Sequence, residues 1–350
     1  MEWMNLNGID GPAAGMLFAP ATSSSLDRPT MWLLGVTIGL LVVANVIGFF
    51  LARQPETIVN PAVVKSFNLR IRAWWLMFAI LVMGIILGKV TTIVMFGLAS
   101  FWALREFITM TPTRRADHRS LFWVFVVVTP LQFVLVGLGA DYFFTILIPV
   151  YASLFIFARI AISDDPKRFL ERSAKIQAGL LICVYSLSHA PAILTTQLTV
   201  ANELNEQGGR ILWDQTRNPG LLFYFVLLVQ LSEVFQYTWG RLLGKRVIAP
   251  TINASRTWEG FMGGVLTTAL VGGLLWKVTP FKIWESALMA LAIAAMGFAG
   301  SMTMSAIKRD RGVRDYGTLV QGHAGVLDRV DSLCFAAPVF FHLTHVLMHQ

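Results

Sequence analysis

Long apolar stretches recur along the whole chain and constrain its fold more than any other feature of the sequence. A helix needs about 20 such residues to cross the roughly 30 Å hydrocarbon core of a bilayer. The stretches predict an all-α, polytopic integral membrane helical bundle with about ten transmembrane helices. The predicted spans are 31–52, 73–88, 90–104, 120–139, 142–162, 176–199, 221–239, 261–279, 283–300 and 333–348. Only Lys89 separates the second span from the third, so that pair is either a hairpin or one re-entrant element.

The composition excludes the soluble classes of protein. Hydrophobic residues make up 55% of the 350 residues and charged residues only 14%, whereas soluble domains carry roughly 25% charged residues. So few charges cannot cover a water-facing surface, which excludes a soluble, disordered or nucleic-acid-coating protein. We therefore expect no nucleic-acid partner. Cys183 and Cys334 lie in separate apolar runs, which predicts two core residues without a disulfide framework.

The basic residues are distributed unequally between the two sides of the predicted bundle. Of the 28 Lys and Arg residues, 21 fall in alternate loops on one side and 6 in loops on the other. Cytoplasmic loops carry an excess of Lys and Arg, so the rich side is predicted to be cytoplasmic and both termini external. We expect a multi-pass protein of the plasma (inner) membrane, with residues 1–30 as an external tail and no cleaved signal.

One acidic side chain, Glu233, lies deep in the seventh predicted span. Charges inside membranes are costly and usually face a cavity or a partner. Glu233 is therefore either a wall of a polar site that opens to the cytoplasm, or a carboxylate near the helix end that reaches water.

The segment after this span combines glycines with basic and hydroxyl residues. Such residues let the backbone and side chains approach phosphate oxygens closely. A positive loop beside an anionic membrane surface has the same makeup, which leaves a second interpretation open. The candidate substrate-binding residues here are Arg241, Lys245, Arg256, Thr257 and Glu259.

The segment 305–331 carries a denser set of polar residues. Asp328 and Asp331 are spaced to present two carboxylates together at the head of the last span, and Asp315 can join them from the loop. Mg²⁺ binds one or two carboxylates together with phosphate oxygens and water. The pattern favours Mg²⁺ as the cofactor, with Asp315, Asp328 and Asp331 as its ligands.

Basic side chains accompany these carboxylates. Ser305, Lys308 and Arg309 lie three and four residues apart, so they share one face of a helix. Together with Arg314 and Arg329, the cations are suited to neutralise phosphate charge. The alternative is a solvated loop whose charges pair with one another.

The order of these residues resembles the signature of the phosphatidate cytidylyltransferases, or CDP-diacylglycerol synthases. That signature reads Ser-x-x-Lys-Arg, a Lys-Asp pair, Gly-His-Gly-Gly and Leu-Asp-Arg-x-Asp, and an earlier element has an acidic residue before Tyr, Gly-Arg, Gly-Lys and Lys-Thr-Trp-Glu-Gly. The later motif is matched by Ser305, Lys308, Arg309, Asp315, Gly322, His323, Gly325, Asp328, Arg329 and Asp331. The earlier motif is matched by Glu233, Tyr237, Gly240, Arg241, Gly244, Lys245, Thr257, Trp258, Glu259 and Gly260.

Several positions depart from the family pattern and indicate a divergent member. Glu233 replaces Asp, Ser301 replaces another Asp, Arg314 replaces Lys and Ala324 replaces Gly. The Ser-Pro-Lys of the earlier element is replaced by the residues at 253–255, and Arg256 replaces the following Lys. Arg for Lys keeps the charge but changes the geometry.

The resemblance implies cytidylyl transfer from CTP to phosphatidate, giving CDP-diacylglycerol and pyrophosphate. It implies a scaffold over 31–220, a catalytic region over 221–350, and CTP, a lipid phosphate and the bilayer as partners; we also consider a homodimer. The implied catalytic residues are Asp315, Asp328, Asp331, Lys308, Arg309 and His323. The implied substrate-binding residues are Ser305, Arg329, Arg314, Arg241, Lys245, Arg256, Thr257, Glu259 and Glu233.

Two other functions stay open at this point. Transfer from CTP to a different membrane lipid phosphate needs the same loops but a different acceptor. A catalytically lapsed relative that serves as a binding or scaffold protein is compatible with the departure at Ser301. A transporter needs paired broken or charged helices near the bilayer midplane, and apart from Glu233 the sequence shows no such pairing.

Overall fold

The computed structural model describes residues 27–53, 61–110, 114, 117–204, 210–313 and 325–348. Long helices account for most of these residues. In chain order they are α1 (Arg28–Ala52), α2 (Pro61–Leu87), α3 (Lys89–Met110), α4 (His118–Gly137), α5 (Asp141–Ala161), α6 (169–192), α7 (Asn218–Leu243), α8 (Trp258–Leu274), α9 (Ile283–Asp310) and α10 (Leu327–Met348). Each of α4, α5 and α6 contains a π-helical turn, at Val124–Val128, Leu147–Ala152 and Leu180–Ser186.

The predicted helical membrane protein is confirmed. In the described ranges, seven helices are long and apolar enough to cross a bilayer, namely α1, α3, α4, α5, α7 with the turn before it, α9 and α10. The apolar part of α2, Trp74–Leu87, is shorter. A helix lies near each of the ten predicted spans, but the count of ten crossings is not confirmed. The free cysteines Cys183 and Cys334 are both buried, as predicted.

Some boundaries differ from the predictions for local reasons. The second and third predicted spans are separate helices, because Gly88 interrupts them with a φ of 103°, a conformation that glycine adopts without strain. The sixth span ends at Ala192, just after Pro191, instead of at Thr199. The last helix begins at Leu327, so Asp328 and Asp331 lie on the helix itself.

Two small antiparallel hairpins were not expected in an all-α chain. β1 (Thr199–Leu204) pairs with β2 (Arg210–Leu212), and β3 (Val247–Ala249) pairs with β4 (Asn253–Thr257). Both occupy segments between helices. The second hairpin connects α7 to α8 and carries Arg256 and Thr257 against the helices that form the site.

The four C-terminal helices α7–α10 pack closely against one another at glycines. A Cβ on Gly260 of α8 would lie 2.7 Å from the Gln236 carbonyl oxygen of α7. A Cβ on Gly300 of α9 would lie 2.7 Å from the Asp331 carbonyl oxygen of α10. Small residues allow this approach between membrane helices. The contact at Gly300 brings the polar end of α9 beside the start of α10.

A buried ion pair connects α6 to the residue that precedes α4. Arg172 of α6 has a side chain that is only 4% exposed, and its Nη2 lies 2.6 Å from Oδ1 of Asp117. Arg172 Nη1 also donates to the Asp165 carbonyl oxygen at 2.8 Å. Burying a guanidinium is tolerated here because a carboxylate and a carbonyl oxygen satisfy it.

Candidate active site

The first turn of α10 holds one of the two carboxylates that the sequence singled out. Asp328 has a nearly buried side chain, and its Oδ1 accepts a hydrogen bond from Nζ of Lys308 on α9 at 2.8 Å. Its Oδ2 accepts a hydrogen bond from the backbone N–H of Gly325 at 3.2 Å. Lys308 and Asp328 therefore pair with each other, as in the alternative of mutually paired charges, and their roles toward phosphate and Mg²⁺ stay predictions.

A second carboxylate cluster lies one turn further along α10. Asp331 is 9% exposed, and its Oδ1 accepts hydrogen bonds from the Ser332 backbone at 2.7 Å and the Ser332 hydroxyl at 3.2 Å. The same hydroxyl donates a short hydrogen bond to Oε1 of Glu233 on α7. Glu233 therefore faces the polar site, which favours the first of its two interpretations. The carboxylates of Glu233 and Asp328 both interact electrostatically with Asp331.

A buried carboxylate that the sequence analysis missed holds the start of α10. Glu106 of α3 is 3% exposed and accepts hydrogen bonds from the backbone N–H groups of Val326 at 3.1 Å and Leu327 at 2.8 Å. The first N–H groups of a helix lack partners within it, and an acidic group there also interacts favourably with the helix dipole. A charge inside an apolar run was the available signal. Its partner is 220 residues away, which the sequence alone does not reveal.

The β3–β4 hairpin adds a guanidinium to the site. Arg256 Nη1 donates to Oε1 of Gln236 on α7 at 3.2 Å, and its Nη2 donates to Oγ of Ser301 on α9 at 2.9 Å. Ser301 is the position where the family signature has Asp. The hydroxyl accepts a hydrogen bond from Arg256 but brings no negative charge to neutralise the guanidinium.

The same hairpin contacts the polar face of α9 at two further points. Nδ2 of Asn253 donates to Oγ of Ser305 at 3.3 Å, and Nε of Arg309 donates to the Ile252 carbonyl oxygen at 3.1 Å. Ser305, Lys308 and Arg309 thus lie along one end of α9, as their spacing predicts. The hairpin covers that end of the helix.

Thr257 and Glu259 organise the backbone around the hairpin. Oγ1 of Thr257 caps α8 by accepting from the Gly260 N–H at 3.2 Å. Oε2 of Glu259 accepts from the backbone N–H groups of Lys245 at 3.1 Å and Arg246 at 3.2 Å. Hydrogen bonds from its own N–H, from Lys245 and from Arg246 lower the pKa of Glu259 below its ordinary value. These contacts are structural, whereas the side chains of Arg241 and Lys245 are exposed.

The structure brings together most, but not all, of the predicted site residues that it describes. Arg329 lies in α10 beside Asp328 but lines a separate apolar cavity. Arg314, Asp315 and His323 lie outside the described residues, so their roles stay predictions. Within the described part of the chain, there is no group of three or more His, Cys, Asp or Glu residues that could hold a metal ion. The predicted set of three aspartates includes Asp315 and therefore remains untested.

Comparison with known proteins defines the family. The cytidylyltransferase family matches residues 68–347, which is most of the chain. The chain belongs to the cytidylyltransferase family. The uncharacterized protein YnbB of Escherichia coli K12 is 35% identical over 317 residues, covering 88% of this chain and 96% of that protein. Over most of its length, this chain thus resembles a protein without an assigned activity.

Relatives with a named activity match a shorter part of the chain. The phosphatidate cytidylyltransferase of Staphylococcus epidermidis is 36% identical over 129 residues, or 36% of this chain and 50% of that protein. That of Haemophilus influenzae is 36% identical over 126 residues, or 34% of this chain and 44% of that protein. The chain thus aligns with about half the length of these relatives. The chain is therefore a multi-pass membrane member of the cytidylyltransferase family.

Proposed function

We propose that this protein transfers the cytidylyl group of CTP to phosphatidate, giving CDP-diacylglycerol and pyrophosphate. The observation that carries the proposal is the pairing of Lys308 with Asp328 beside Asp331 and Glu233, at the contact of α7, α9 and α10. This arrangement supplies both carboxylates and cations at one place. The named activity of the shorter-matching relatives supports the choice of phosphatidate.

The reaction needs little covalent help from the protein. A phosphate oxygen of phosphatidate attacks the α-phosphorus of CTP, a new P–O bond forms, and the bond to the β-phosphate oxygen breaks to release pyrophosphate. The attacking group is already an anion, so no side chain has to remove a proton from it. The protein has to hold two polyanions in line and neutralise their charge.

The basic and hydroxyl residues are arranged to do this. Lys308 extends from the last turns of α9 to the start of α10, and Arg256 approaches α9 from β4. Ser305 and Arg309 lie on the same end of α9. We assign these four side chains to the phosphates of the two substrates, with Arg314 and His323 as further candidates from the sequence.

A carboxylate oxygen of Asp331 supports the proposal that a divalent cation binds here. Among the described residues only Ser332 donates to the Asp331 carboxylate, and it does so at Oδ1, which leaves Oδ2 available. The Glu233 and Asp328 carboxylates interact electrostatically with Asp331. Mg²⁺ prefers one or two carboxylates plus phosphate oxygens and water, so Asp328 and Asp331, with Asp315 from the sequence, would hold it. When bound, Mg²⁺ supplies positive charge that offsets the phosphate charge at the reacting centre.

A purified, full-length protein tests the proposal with radiolabelled CTP. We expect Mg²⁺-dependent release of pyrophosphate and formation of a labelled lipid with phosphatidate, and neither without lipid. Asp328→Asn and Asp331→Asn are expected to lower turnover by at least about 100-fold, because each removes a charge at the reacting centre. Asp214→Asn is the matched control, since Asp214 is exposed near the opposite end of α7.

The same assay discriminates between the open alternatives. Label incorporated with a polyprenyl phosphate but not with phosphatidate identifies a different lipid acceptor, consistent with the close similarity to an uncharacterized protein. A folded protein that binds CTP but turns over none of the lipid phosphates is a lapsed relative. Wild-type rates in both aspartate variants contradict the assignment of the carboxylates.

A further inference from the structure

An apolar cavity of about 370 Å³ lies between α1, α2, α3, α7 and α10. Its volume falls within the roughly 300–1,000 Å³ of small-molecule sites. Its walls are built almost entirely from apolar side chains, such as Leu41 of α1, Met77 of α2 and Phe96 of α3. Among the predicted site residues that the structure describes, Arg329 lines this space and the others do not.

The cavity is long and follows the helices. Along α7 its lining extends from Phe223 to Val234, and along α2 from Trp74 to Gly84. At 1.5 Å per residue these ranges correspond to about 16 Å and about 15 Å. The hydrocarbon core of a bilayer is about 30 Å thick, so the cavity has the depth of one leaflet. An extended alkyl chain that enters from one surface has this reach.

The polar end of the cavity adjoins the candidate active site. Val234 follows Glu233 on α7, and Arg329 follows Asp328 on α10. Consecutive helical residues differ by about 100° in direction, so α10 presents Asp328 to the carboxylate site and Arg329 to the cavity. The Arg329 side chain has no hydrogen bond or ion pair with another described residue. A partly buried guanidinium at the mouth of an apolar cavity suits an anionic headgroup with an attached chain.

We propose that this cavity holds an acyl chain of the lipid-phosphate substrate and that Arg329 binds the phosphate of the same molecule. The inference rests on the proposed function for the reaction of that phosphate, but the binding itself does not require turnover. Charge complementarity at Arg329, the apolar walls and the continuity with the carboxylate site together favour an anionic lipid over a soluble ligand.

Photo-crosslinking tests the binding independently of catalysis. The full-length protein is incubated with phosphatidate that carries a diazirine in its acyl chain, and labelled peptides are mapped by mass spectrometry. We expect saturable labelling of cavity peptides that contain Met77 and Met95, competed by dioleoyl phosphatidate but not by dioleoylglycerol or inorganic phosphate. Labelling that is absent from these peptides, or that inorganic phosphate abolishes, overturns the proposal.

Variants test the two parts of the cavity. Arg329→Gln is expected to weaken competition by phosphatidate by about tenfold, and Arg329→Lys to retain most of it, because the lysine keeps the charge. Ala99→Trp fills the cavity from α3, and Leu98→Trp is the matched control on the lipid-facing side, where Leu98 is 59% exposed. We expect Ala99→Trp alone to abolish saturable labelling. If it fails to fold, Ala44→Trp fills the cavity from α1 instead.

Turnover separates this inference from the proposed function. With an active wild type, Ala99→Trp should lower kcat/KM for long-chain phosphatidate by about tenfold or more, while short-chain phosphatidate and the KM for CTP change little. Saturable cavity labelling without any cytidylyl transfer retains the lipid site and removes the proposed function. Turnover that is equal in Ala99→Trp and Leu98→Trp, with labelling only on the outer surface, removes the lipid site and retains the function.

Discussion

Glu106 packs so closely against the start of α10 that one added methyl group, in Gly325→Ala, should strongly reduce the stability of the protein. A Cβ on Gly325 would lie 2.5 Å from Oε2 and 2.8 Å from Cδ of Glu106. The cost of Gly325→Ala should therefore come from displacing the carboxylate.

The magnitude follows from the two hydrogen bonds that Glu106 accepts. Hydrogen bonds to a charged group contribute roughly 1.5–3 kcal/mol each. The added methyl group must push the carboxylate away by about 0.5 Å or more, and the buried site offers it no water in exchange. We expect Gly325→Ala to lower the free energy of unfolding by about 2–4 kcal/mol. Turnover should fall by about 100-fold, because Asp328 lies three residues after Gly325 and would move with the start of α10.

A double-mutant cycle in detergent, with unfolding followed by circular dichroism and turnover by pyrophosphate release, measures the coupling. In a Glu106→Ala background there is no carboxylate to displace, so Gly325→Ala should cost less than about 1 kcal/mol. Gly35→Ala is the control, because a Cβ on Gly35 has no atom within 4 Å. Equal costs of Gly325→Ala with and without Glu106 refute the reasoning, as does wild-type turnover in Gly325→Ala.

Three further predictions concern the same region. Lys308→Gln should lower the free energy of unfolding by about 3 kcal/mol, since it removes the Lys308 cation from the nearly buried Asp328, and adding Asp328→Asn should recover stability but not turnover. Ser301→Asp should raise the thermal midpoint through an ion pair with Arg256 worth about 1 kcal/mol, whereas Ser301→Asn should not. The lowered pKa of Glu259 means that its stabilising contribution is present above its ordinary pKa of 4.5 and is lost as the pH falls through the lowered value. The midpoint difference between wild type and Glu259→Gln should therefore shrink on acidification below pH 4.5, and a constant difference would contradict this assignment.

Hydropathy alone was sufficient to predict the helical membrane class. Apolar runs of the right length identify helices because a bilayer leaves backbone groups no partner except one another. The boundaries were less accurate, since Gly88 and the residues around Pro191 act locally and a window of hydropathy averages over them. The same averaging hid the β3–β4 hairpin, whose strands are only a few residues long.

The site was predictable where its residues are close in sequence. The helical spacing placed Lys308 and Arg309 together and Asp328 and Asp331 together, and the structure adds the contact between the two pairs. Contacts between distant helices were not predictable from one sequence. Glu106 at the start of α10 and the Ser332 bridge to Glu233 are of this kind.

Two expectations need the part of the chain that the structure does not describe. The roles of Arg314, Asp315 and His323 stay predictions, as do the orientation of the bundle and the homodimer. The predicted external tail over 1–30 is described only from residue 27, and α1 already begins at Arg28. A cysteine introduced in the loop between α9 and α10 and probed with a membrane-impermeant thiol reagent would decide which side of the membrane the loop faces.

The two-sided character of α10 has a consequence for how products depart. Asp328 faces the carboxylate site and Arg329 faces the apolar cavity, so α10 separates the two sites. In the proposed reaction, pyrophosphate would leave on the carboxylate side and the lipid product on the cavity side. The two products would then depart by separate routes.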